Sequence, residues 1–381
     1  MMHILDAVRG LIAWTPLGLP AFLFVITLVV FFHELGHFLV ARFFGVKVDV
    51  FSVGFGKEIV GFNDKRGTRW KISWLPVGGY VRFAGDADAA STPDRAALKN
   101  LTSEQRAGML ALKPVGQRAA VAAAGPFANF LLAIVIMTGL NLYSGHAVIS
   151  PIVGQVTPGS PAAQAGIHPG DLVTSIDSTK ITDFQQLPQI IAISGGETLT
   201  IGVKRGDQSL RLAVTPRLTK TRDVLGNVGS QMIIGVRQAP NAPVVREHYG
   251  PVGAFGAACS QTWSIIHTTV VGISQMITGR ASTDQLQGPV GIMHMTRQVA
   301  DFGFLALLDL VAILSVSIGL ANLFPIPLLD GGHLLYYAVE AVLGRPLGER
   351  AQDIGFRLGL VLVLGLMLLT TWNDLIRLNL F

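Results

Sequence analysis

Long apolar stretches with almost no charge constrain this chain most, because each is long enough to cross a lipid bilayer. The hydrocarbon core of a bilayer requires about 20 residues of helix. Four stretches meet or approach that length, and they predict spanning helices over residues 20–44, 119–143, 304–329 and 358–372. The sequence therefore predicts a polytopic α-helical membrane protein with about four transmembrane helices.

The composition supports a membrane protein and excludes several other classes. Half of the 381 residues are hydrophobic and only 14% are charged, whereas soluble domains carry about 25% charged residues. The net charge of +5 comes without a basic run interleaved with aromatic residues, so nucleic acid is not an expected partner. The single cysteine, Cys259, excludes an intrachain disulfide.

The distribution of basic residues predicts the orientation of the chain in the bilayer. Residues 42–118 contain 13 Lys and Arg against 7 Asp and Glu, the densest basic stretch in the sequence. By the positive-inside rule this loop is cytoplasmic. Residues 144–303 contain 11 Lys and Arg over about twice the length, and they are expected outside, together with both termini.

The outer segment contains a region of different character. Short β-branched runs in residues 149–218 are separated by turn signals such as Pro158-Gly159 and Pro169-Gly170. The region resembles a PDZ domain, a fold that typically binds an extended peptide at a strand edge. The alternative is a spacer that binds nothing, because fold alone does not establish function.

Two other segments are predicted to lie at the membrane surface. Residues 49–83 alternate like two strands around a turn, which predicts a membrane-associated β-hairpin. Residues 249–280 mix apolar and polar positions with little charge, which favours an amphipathic interfacial helix. The predicted organisation is a first transmembrane region, 1–48; a cytoplasmic-side loop with the hairpin, 49–118; a second span, 119–143; a PDZ domain, 149–218; a linker with the amphipathic segment, 219–303; and the last two spans, 304–381.

The sharpest chemical signal is the sequence His33-Glu34-Leu35-Gly36-His37 inside the first span. On a helix, positions i and i+4 share one face, so both imidazoles can reach one metal ion, with Glu34 beside them as a candidate base. Ionisable residues within a membrane span are functional candidates by default. The alternative is a pair of hydrogen-bonded histidines near a solvated glutamate.

A catalytic zinc site normally takes three protein ligands and leaves the fourth position to water. Asp330, which follows Pro325 and Pro327 at the end of the third span, is the candidate third ligand. A broken helix at membrane depth is tolerated where the chain is buried in protein or lines a water-filled cavity. An ordinary interfacial turn is the alternative interpretation, and His333 is a rival ligand from the same turn.

Three separated motifs, HELGH, Gly125–Asn129 in the second span and NLFPIPLLDGGH in the third, resemble the site-2 protease family of intramembrane zinc metalloproteases. The resemblance covers nearly the whole chain and is greatest to bacterial members that regulate sigma-E. It implies that His33, His37 and Asp330 bind Zn²⁺, that Glu34 is the general base for a zinc-activated water, and that Asn322 and Asn129 contact substrate.

The resemblance also implies partners and a location. Expected substrates are single-span membrane proteins already shortened by another protease, such as an anti-sigma factor or remnant signal peptides, held in unwound form by the hairpin. The expected location is a bacterial inner membrane, with the PDZ domain on the periplasmic side, where it could bind peptide, and the active site near the cytoplasmic side.

Other interpretations remain open from the residues alone. Close enterobacterial-type relatives carry two tandem PDZ domains, whereas only one fits here, so gating by a paired PDZ filter does not follow. The Gly125–Asn129 motif could be a Gly-Pro kink that lets helices pack closely. A metal transporter or a catalytically inactive PDZ scaffold is the alternative function, and iron or cobalt could occupy the site in vitro.

Overall fold

The computed structural model describes residues 18–86, 102–222, 228–280, 283 and 286–377. The helices, in chain order, are α1 (Gly18–Phe43), α2 (Ser103–Ala107), α3 (Val115–Ser144), α4 (Pro161–Gln164), α5 (Gln186–Ala192), α6 (Pro251–Ile277), α7 (Pro289–Ala300), α8 (Phe304–Leu323), α9 (Asp330–Leu343) and α10 (Glu349–Arg377). Parts of the predicted first region, cytoplasmic-side loop, linker and last region, namely 1–17, 87–101, 223–227, 281–282, 284–285 and 378–381, lie outside the described residues.

The strands, in chain order, are β1 (Val48–Asn63), β2 (Arg69–Phe83), β3 (His146–Ile149), β4 (Val153–Val156), β5 (Leu172–Ile176), β6 (Thr179–Lys180), β7 (Leu199–Arg205), β8 (Gln208–Val214), β9 (Arg217–Arg222), β10 (Val228–Ile233), β11 (Val236–Gln238) and β12 (Val244–Glu247). By contact density the chain forms two compact units. The membrane unit runs to Met137 and resumes over Gly288–Trp372; the insert unit comprises Thr138–Gln287 and the residues from Asn373 onward.

Four helices of the described part are long and apolar enough to cross a membrane, which confirms the predicted number of spans. They are α1, α3, α8 and, within α10, Arg350–Ile376. The third helix ends at Leu323 rather than at residue 329, because Pro325 and Pro327 cannot donate the backbone hydrogen bonds that a continuing helix needs. The fourth is longer than predicted, because charged residues at both ends are accommodated within it.

The membrane unit is held together by small and apolar side chains between its helices. A core cluster joins α1, α3 and α8 through Val25, Val29, Leu132, Leu310, Val311 and Leu314. At Gly36 the backbone of α3 comes so close that a Cβ atom would overlap the carbonyl of Ala124. Such close approach at small residues is the usual way in which membrane helices associate.

The predicted hairpin is present, and it is folded over on itself. Val50 and Phe51 of β1 pair with Arg82 and Val81 on one side and with Arg69 and Trp70 on the other. The first half of β1 therefore lies between the two halves of β2, and the chain bends at glycines such as Gly54, whose φ is +88°. Among the described pairings, the outer edge of residues 79–83 has no strand partner.

An ion pair anchors the hairpin to the end of α1. Arg42 Nη2 lies 2.8 Å from Asp64 Oδ2 in the hairpin turn, and its guanidinium stands 4.7 Å from the ring centroid of Phe38. Asp64 also accepts hydrogen bonds from the backbone N–H of Thr68 and from the indole N–H of Trp70. The turn is therefore fixed beside the helix that carries HELGH.

The insert unit has its own apolar core beneath a four-stranded antiparallel sheet of order β6-β5-β7-β8. The core residues include Val153, Ile167, Val173, Ile176, Leu187, Ile201, Val203 and Ile234. Asp171 is buried and accepts hydrogen bonds from Arg205 Nε and Nη2, each at 2.7 Å. This pair joins the start of β5 to the end of β7.

The folded insert extends beyond the predicted boundary of 149–218. Strand β11 pairs with β4, and β12 pairs with β3, so residues placed in the predicted linker complete the domain. Ile234, at 2% exposure, belongs to the same core. The sequence pattern did not reveal this because β11 and β12 are only three and four residues long. The predicted segment 249–280 is helical, as α6, and its interfacial position stays a prediction.

Candidate metal centre

Helix α1 presents both histidines of HELGH on one face. The two imidazole rings meet edge to face, with centroids 4.9 Å apart, and each residue is 9% exposed. The spacing of four residues is a little more than one turn of α-helix, which places the rings one above the other. Their Nε2 atoms lie 3.2 Å apart.

The broken segment after α8 places Asp330 next to these two imidazole rings. The chain is extended at Phe324, Leu328 takes an unfavourable positive φ of 97°, and α9 begins at Asp330. A Cβ atom on Gly331 would overlap the carbonyls of Leu323 and Phe324, so only glycine allows α9 to fold back this tightly. Strained backbone of this kind is typical of functional sites.

Helix α10 packs directly against the same break. A Cβ atom on Gly359 would overlap the carbonyl of Pro327. A Cβ atom on Gly355 would likewise overlap the phenol oxygen of Tyr336 in α9. The last span therefore lies in backbone contact with the loop that positions Asp330.

Three ligand atoms converge on one point. Asp330 Oδ2 lies 3.1 Å from His33 Nε2 and 3.4 Å from His37 Nε2, which with the 3.2 Å between the nitrogens makes a nearly equilateral triangle. Ligands at about 2.0–2.1 Å from a tetrahedral zinc stand roughly 3.3 Å apart. These are the described residues that could hold a metal ion, and His333 is not among them.

The chemistry of the donor set fits the same ion. Asp330 Oδ2 is buried and forms no hydrogen bond of good geometry within the described structure, despite its two close imidazole neighbours. An unsatisfied buried carboxylate oxygen is costly. Two imidazoles and a carboxylate are ordinary zinc ligands, and three protein ligands leave one coordination position open.

Helix α3 supports the histidines from behind. His37 Nδ1 donates a hydrogen bond to the backbone carbonyl of Val121 at 2.8 Å, and a Cβ atom on Gly125 would overlap His37 Nε2. The amide nitrogen of Asn129 lies 3.3 Å from His33 Nδ1. Gly125 and Asn129 belong to the GPFAN motif, whereas Val121 lies one turn before it and carried no signal in the sequence.

The side chain of Glu34 extends from α1 toward the hairpin. Its carboxylate lies close to the backbone of Val81 in β2. Gly79 leaves room for this approach, since a Cβ atom there would stand 3.2 Å from Glu34 Cγ. The candidate base is therefore adjacent to His33 in sequence, three residues before His37, and next to the strand edge of residues 79–83.

The structure brings together His33, His37, Asp330, Glu34 and Asn129, and it gives Asn129 a different environment from the one predicted. Asn129 is fully buried, at 0% exposure, and contacts a metal-ligand candidate rather than open space for a substrate. Asn322 is half-buried in the last turn of α8. Its predicted contact with substrate stays a prediction.

Comparison with known proteins identifies a family and relatives of this chain. The model of peptidase family M50 matches residues 21–366. Metalloprotease MmpA of Caulobacter vibrioides is 39% identical over 95% of this chain and 96% of its own length. A predicted zinc metalloprotease of Agrobacterium fabrum is 44% identical over 93% of this chain and 94% of its own length.

A solved PDZ domain, from the SdrC-like protein of Listeria monocytogenes, is 26% identical over 24% of this chain and 88% of its own length, with a TM-score of 0.19. The family model covers most of the chain, and the relatives align over nearly their full lengths. The chain therefore belongs to peptidase family M50, the site-2 proteases, and is a zinc metalloprotease.

Proposed function

We propose that this metalloprotease hydrolyses peptide bonds of single-span membrane proteins within the plane of the membrane. The observation that carries the proposal is the location of the centre: two ligand candidates and Glu34 lie inside α1, a helix apolar enough to span the bilayer. The third ligand begins α9, just past the broken segment that follows α8, another such helix. A substrate helix in the bilayer would thus meet the centre from the side.

In the proposed mechanism His33, His37 and Asp330 hold the metal. Zinc, when bound, supplies Lewis-acid polarisation of a carbonyl and acidifies a water at its open position. Glu34 takes the proton of the attacking water on its carboxylate and then passes it to the leaving amide nitrogen. Its position one residue after His33 keeps this carboxylate on the stretch of α1 that carries both histidine ligands.

A helical substrate must be unwound before it can be cut, because its carbonyls are engaged in its own hydrogen bonds. The outer edge of residues 79–83 has no strand partner among the described pairings, and it lies next to Glu34. An extended peptide can add to such an edge by main-chain hydrogen bonds. We assign the membrane-associated hairpin this holding role.

The substrates are proposed to be single-span proteins already shortened outside by another protease, such as an anti-sigma factor or remnant signal peptides. Family membership supports these substrates and a bacterial inner-membrane location. The basic loop of residues 42–118 supports a cytoplasmic position for that loop, and therefore a periplasmic position for the PDZ-like insert. The insert could bind peptide or control access.

The central test is cleavage of a tagged, externally truncated single-span protein in proteoliposomes. Glu34→Gln should lower the cleavage rate by about 10²–10⁴-fold, with bound zinc unchanged, and a zinc chelator should abolish cleavage by the native chain. Glu197→Gln is the matched control, because Glu197 is exposed on the insert unit. Native-rate cleavage by Glu34→Gln would overturn the assignment of the base.

A second test addresses the strand edge. In a Cys259→Ser background, a cysteine at Arg82 should form a disulfide with a cysteine placed near the scissile bond of the substrate. A cysteine at Ile59, on the opposite edge of the folded hairpin, should not. Equal cross-linking at both positions would contradict the assigned holding role.

A further inference from the structure

The two histidines use their second ring nitrogens in different ways. Both Nδ1 atoms face α3: that of His37 meets the Val121 carbonyl at 2.8 Å, and that of His33 meets the Asn129 amide nitrogen at 3.3 Å. A carbonyl can only accept a hydrogen bond. His37 therefore carries its proton on Nδ1, and its Nε2 lone pair is free to bind a metal.

The contact with Asn129 favours the opposite tautomer of His33. The amide nitrogen of Asn129 can only donate, so it meets the Nδ1 lone pair and leaves the proton of a neutral ring on Nε2. That nitrogen points at His37 Nε2 and at Asp330 Oδ2. In this orientation of the amide, His33 cannot offer Nε2 as a ligand.

The carboxamide oxygen of Asn129 marks the alternative arrangement. Oδ1 is buried and has no hydrogen-bond partner in the described structure. A half-turn of the carboxamide would place Oδ1 against His33 Nδ1, where it accepts the Nδ1 proton and frees Nε2. Each orientation of the amide makes one hydrogen bond to the ring and leaves one amide atom unpaired. Because the two orientations are matched in this way, metal binding at His33 Nε2 is enough to favour the second.

Everything in Asn129 except the carboxamide is fixed. Its backbone carbonyl accepts a hydrogen bond from Ser315 Oγ of α8 at 2.9 Å. Its Cβ packs against Gly319, where a Cβ atom would stand 3.0 Å away. Because α8 clamps the backbone on one side and α1 presents the ring on the other, the freedom that remains is rotation of the amide.

We propose that Asn129 is a positioning residue that accepts a hydrogen bond from His33 Nδ1–H and so selects the ring tautomer that binds zinc through Nε2. Second partners of this kind fix ligating histidines in other metal sites, and their loss costs about 10–100-fold in metal affinity. The inference rests on the zinc site and not on the proposed substrates.

The test measures zinc affinity of the full chain in detergent by competition with a chromophoric chelator, and cleavage is not the readout. Asn129→Leu removes the acceptor and should weaken zinc binding by about 10–100-fold. Asn129→Asp keeps an acceptor that can never donate when ionised, and it should bind zinc within about threefold of the native chain or more tightly.

Controls separate the proposal from packing and from misfolding. Asn141→Leu and Asn141→Asp repeat the changes on the same helix at an asparagine whose amide contacts Ala254 and Gln261, and both should leave zinc affinity unchanged. The d–d absorption of Co²⁺-loaded protein should keep its native shape in Asn129→Asp.

Two outcomes would overturn the proposal. If Asn129→Asp binds zinc as weakly as Asn129→Leu, the amide acts as a donor. If Asn129→Leu binds zinc like the native chain, Asn129 only fills space. Should Asn129→Leu fail to fold, the comparison of Asn129→Asp with the native chain still distinguishes an acceptor from a donor.

Discussion

The two units of this protein place polar and apolar groups in opposite ways. In the insert unit the core is apolar, and the buried charge of Asp171 is neutralised by Arg205 at the rim. In the membrane unit many of the most exposed side chains are apolar, such as Val361 and Leu368 at 69% and 71% exposure. Its buried polar residues, including His33, His37, Asn129 and Ser315, gather between helices.

The difference follows from the solvent that each unit is built for. In water, burial of apolar surface is the main favourable term of folding, so the interior of the insert unit must be apolar. In lipid, apolar side chains gain little by turning inward, and helices associate through close packing and polar contacts. The interior of the membrane unit is therefore available for a metal centre.

The largest effect should come from the closest packing at that centre. Gly125→Ala would drive a methyl group into His37 Nε2, and zinc affinity should fall by about 100-fold or more, beyond the usual loss for a supporting contact. Chelator competition measures it. Gly139→Ala, on the same helix with nothing within 4 Å of the added atom, should bind zinc normally; equal affinity in both variants would place the site elsewhere.

The next effect concerns an ion pair that the membrane unit buries. Arg118 of α3 pairs with Glu340 of α9, both side chains are under 15% exposed, and Arg118 also stacks over Tyr337. Glu340→Leu should cost about 3–5 kcal/mol of unfolding free energy, because it strands a buried cation. Unfolding in mixed dodecyl maltoside and SDS micelles measures this.

The double variant Arg118→Met/Glu340→Leu should recover most of that loss. Glu58→Leu removes the partner of Arg69 in a more exposed pair on the hairpin, and no measurable change is expected. If Glu340→Leu and Glu58→Leu changed the unfolding free energy equally, the interior of the membrane unit around Arg118 would be solvated rather than dry.

The insert unit should respond to pH through the buried carboxylate of Asp171. Burial acts to raise the pKa of Asp171, but the hydrogen bonds from Arg205 and from the His168 N–H outweigh it and hold this pKa below its ordinary value of 3.8. A depressed folded-state pKa contributes stability above the unfolded value, which is lost as pH falls through the folded value. Protection of β5 and β7 amides from hydrogen exchange should therefore decline below about pH 4.

Asp171→Asn tests the same contact at neutral pH. The variant should lose about 1–3 kcal/mol of local stability, because the Arg205 guanidinium keeps fewer acceptors. Exchange of β5 and β7 amides in the full chain would report this loss. In the variant, the decline in protection at acid pH should be smaller than in the native chain, and an unchanged decline would assign it to another group.

The smallest effect should come from the exposed face of α10. Leu368→Ala should change the unfolding free energy in micelles by no more than about 0.5 kcal/mol. Leu310→Ala, at a buried position of α8, should cost about 2 kcal/mol or more. A large loss from Leu368→Ala would mean that this face packs against another protein molecule.

The sequence predicted the parts of the molecule whose signals are local. Four apolar stretches gave the spans, and the i, i+4 spacing of His33 and His37 gave the shared helix face. Asp330 was found through the two prolines that break α8, because the broken helix at membrane depth needed a reason. Zinc as the cofactor and a metalloprotease as the enzyme class are confirmed by the relatives.

The remainder depends on contacts between distant segments. No periodicity indicates that β11 and β12 return to pair with β3 and β4, nor that β1 lies between the halves of β2. The carbonyl of Val121 carries no residue-specific signal at all. Asn129 was singled out by its motif, yet its contact with the His33 ring depends on how closely α1 and α3 approach.

The packing of Gly359 against Pro327 has a consequence for how the protein is made. His33 leaves the ribosome almost 300 residues before Asp330, and at about 5–20 residues per second the interval is roughly 15–60 s. The loop that carries Asp330 then packs against the backbone of α10, a helix synthesised still later. A nascent chain therefore holds two of the three candidate ligands until Asp330 is made, and the loop that carries Asp330 gains its packing against Gly359 only after α10 has followed.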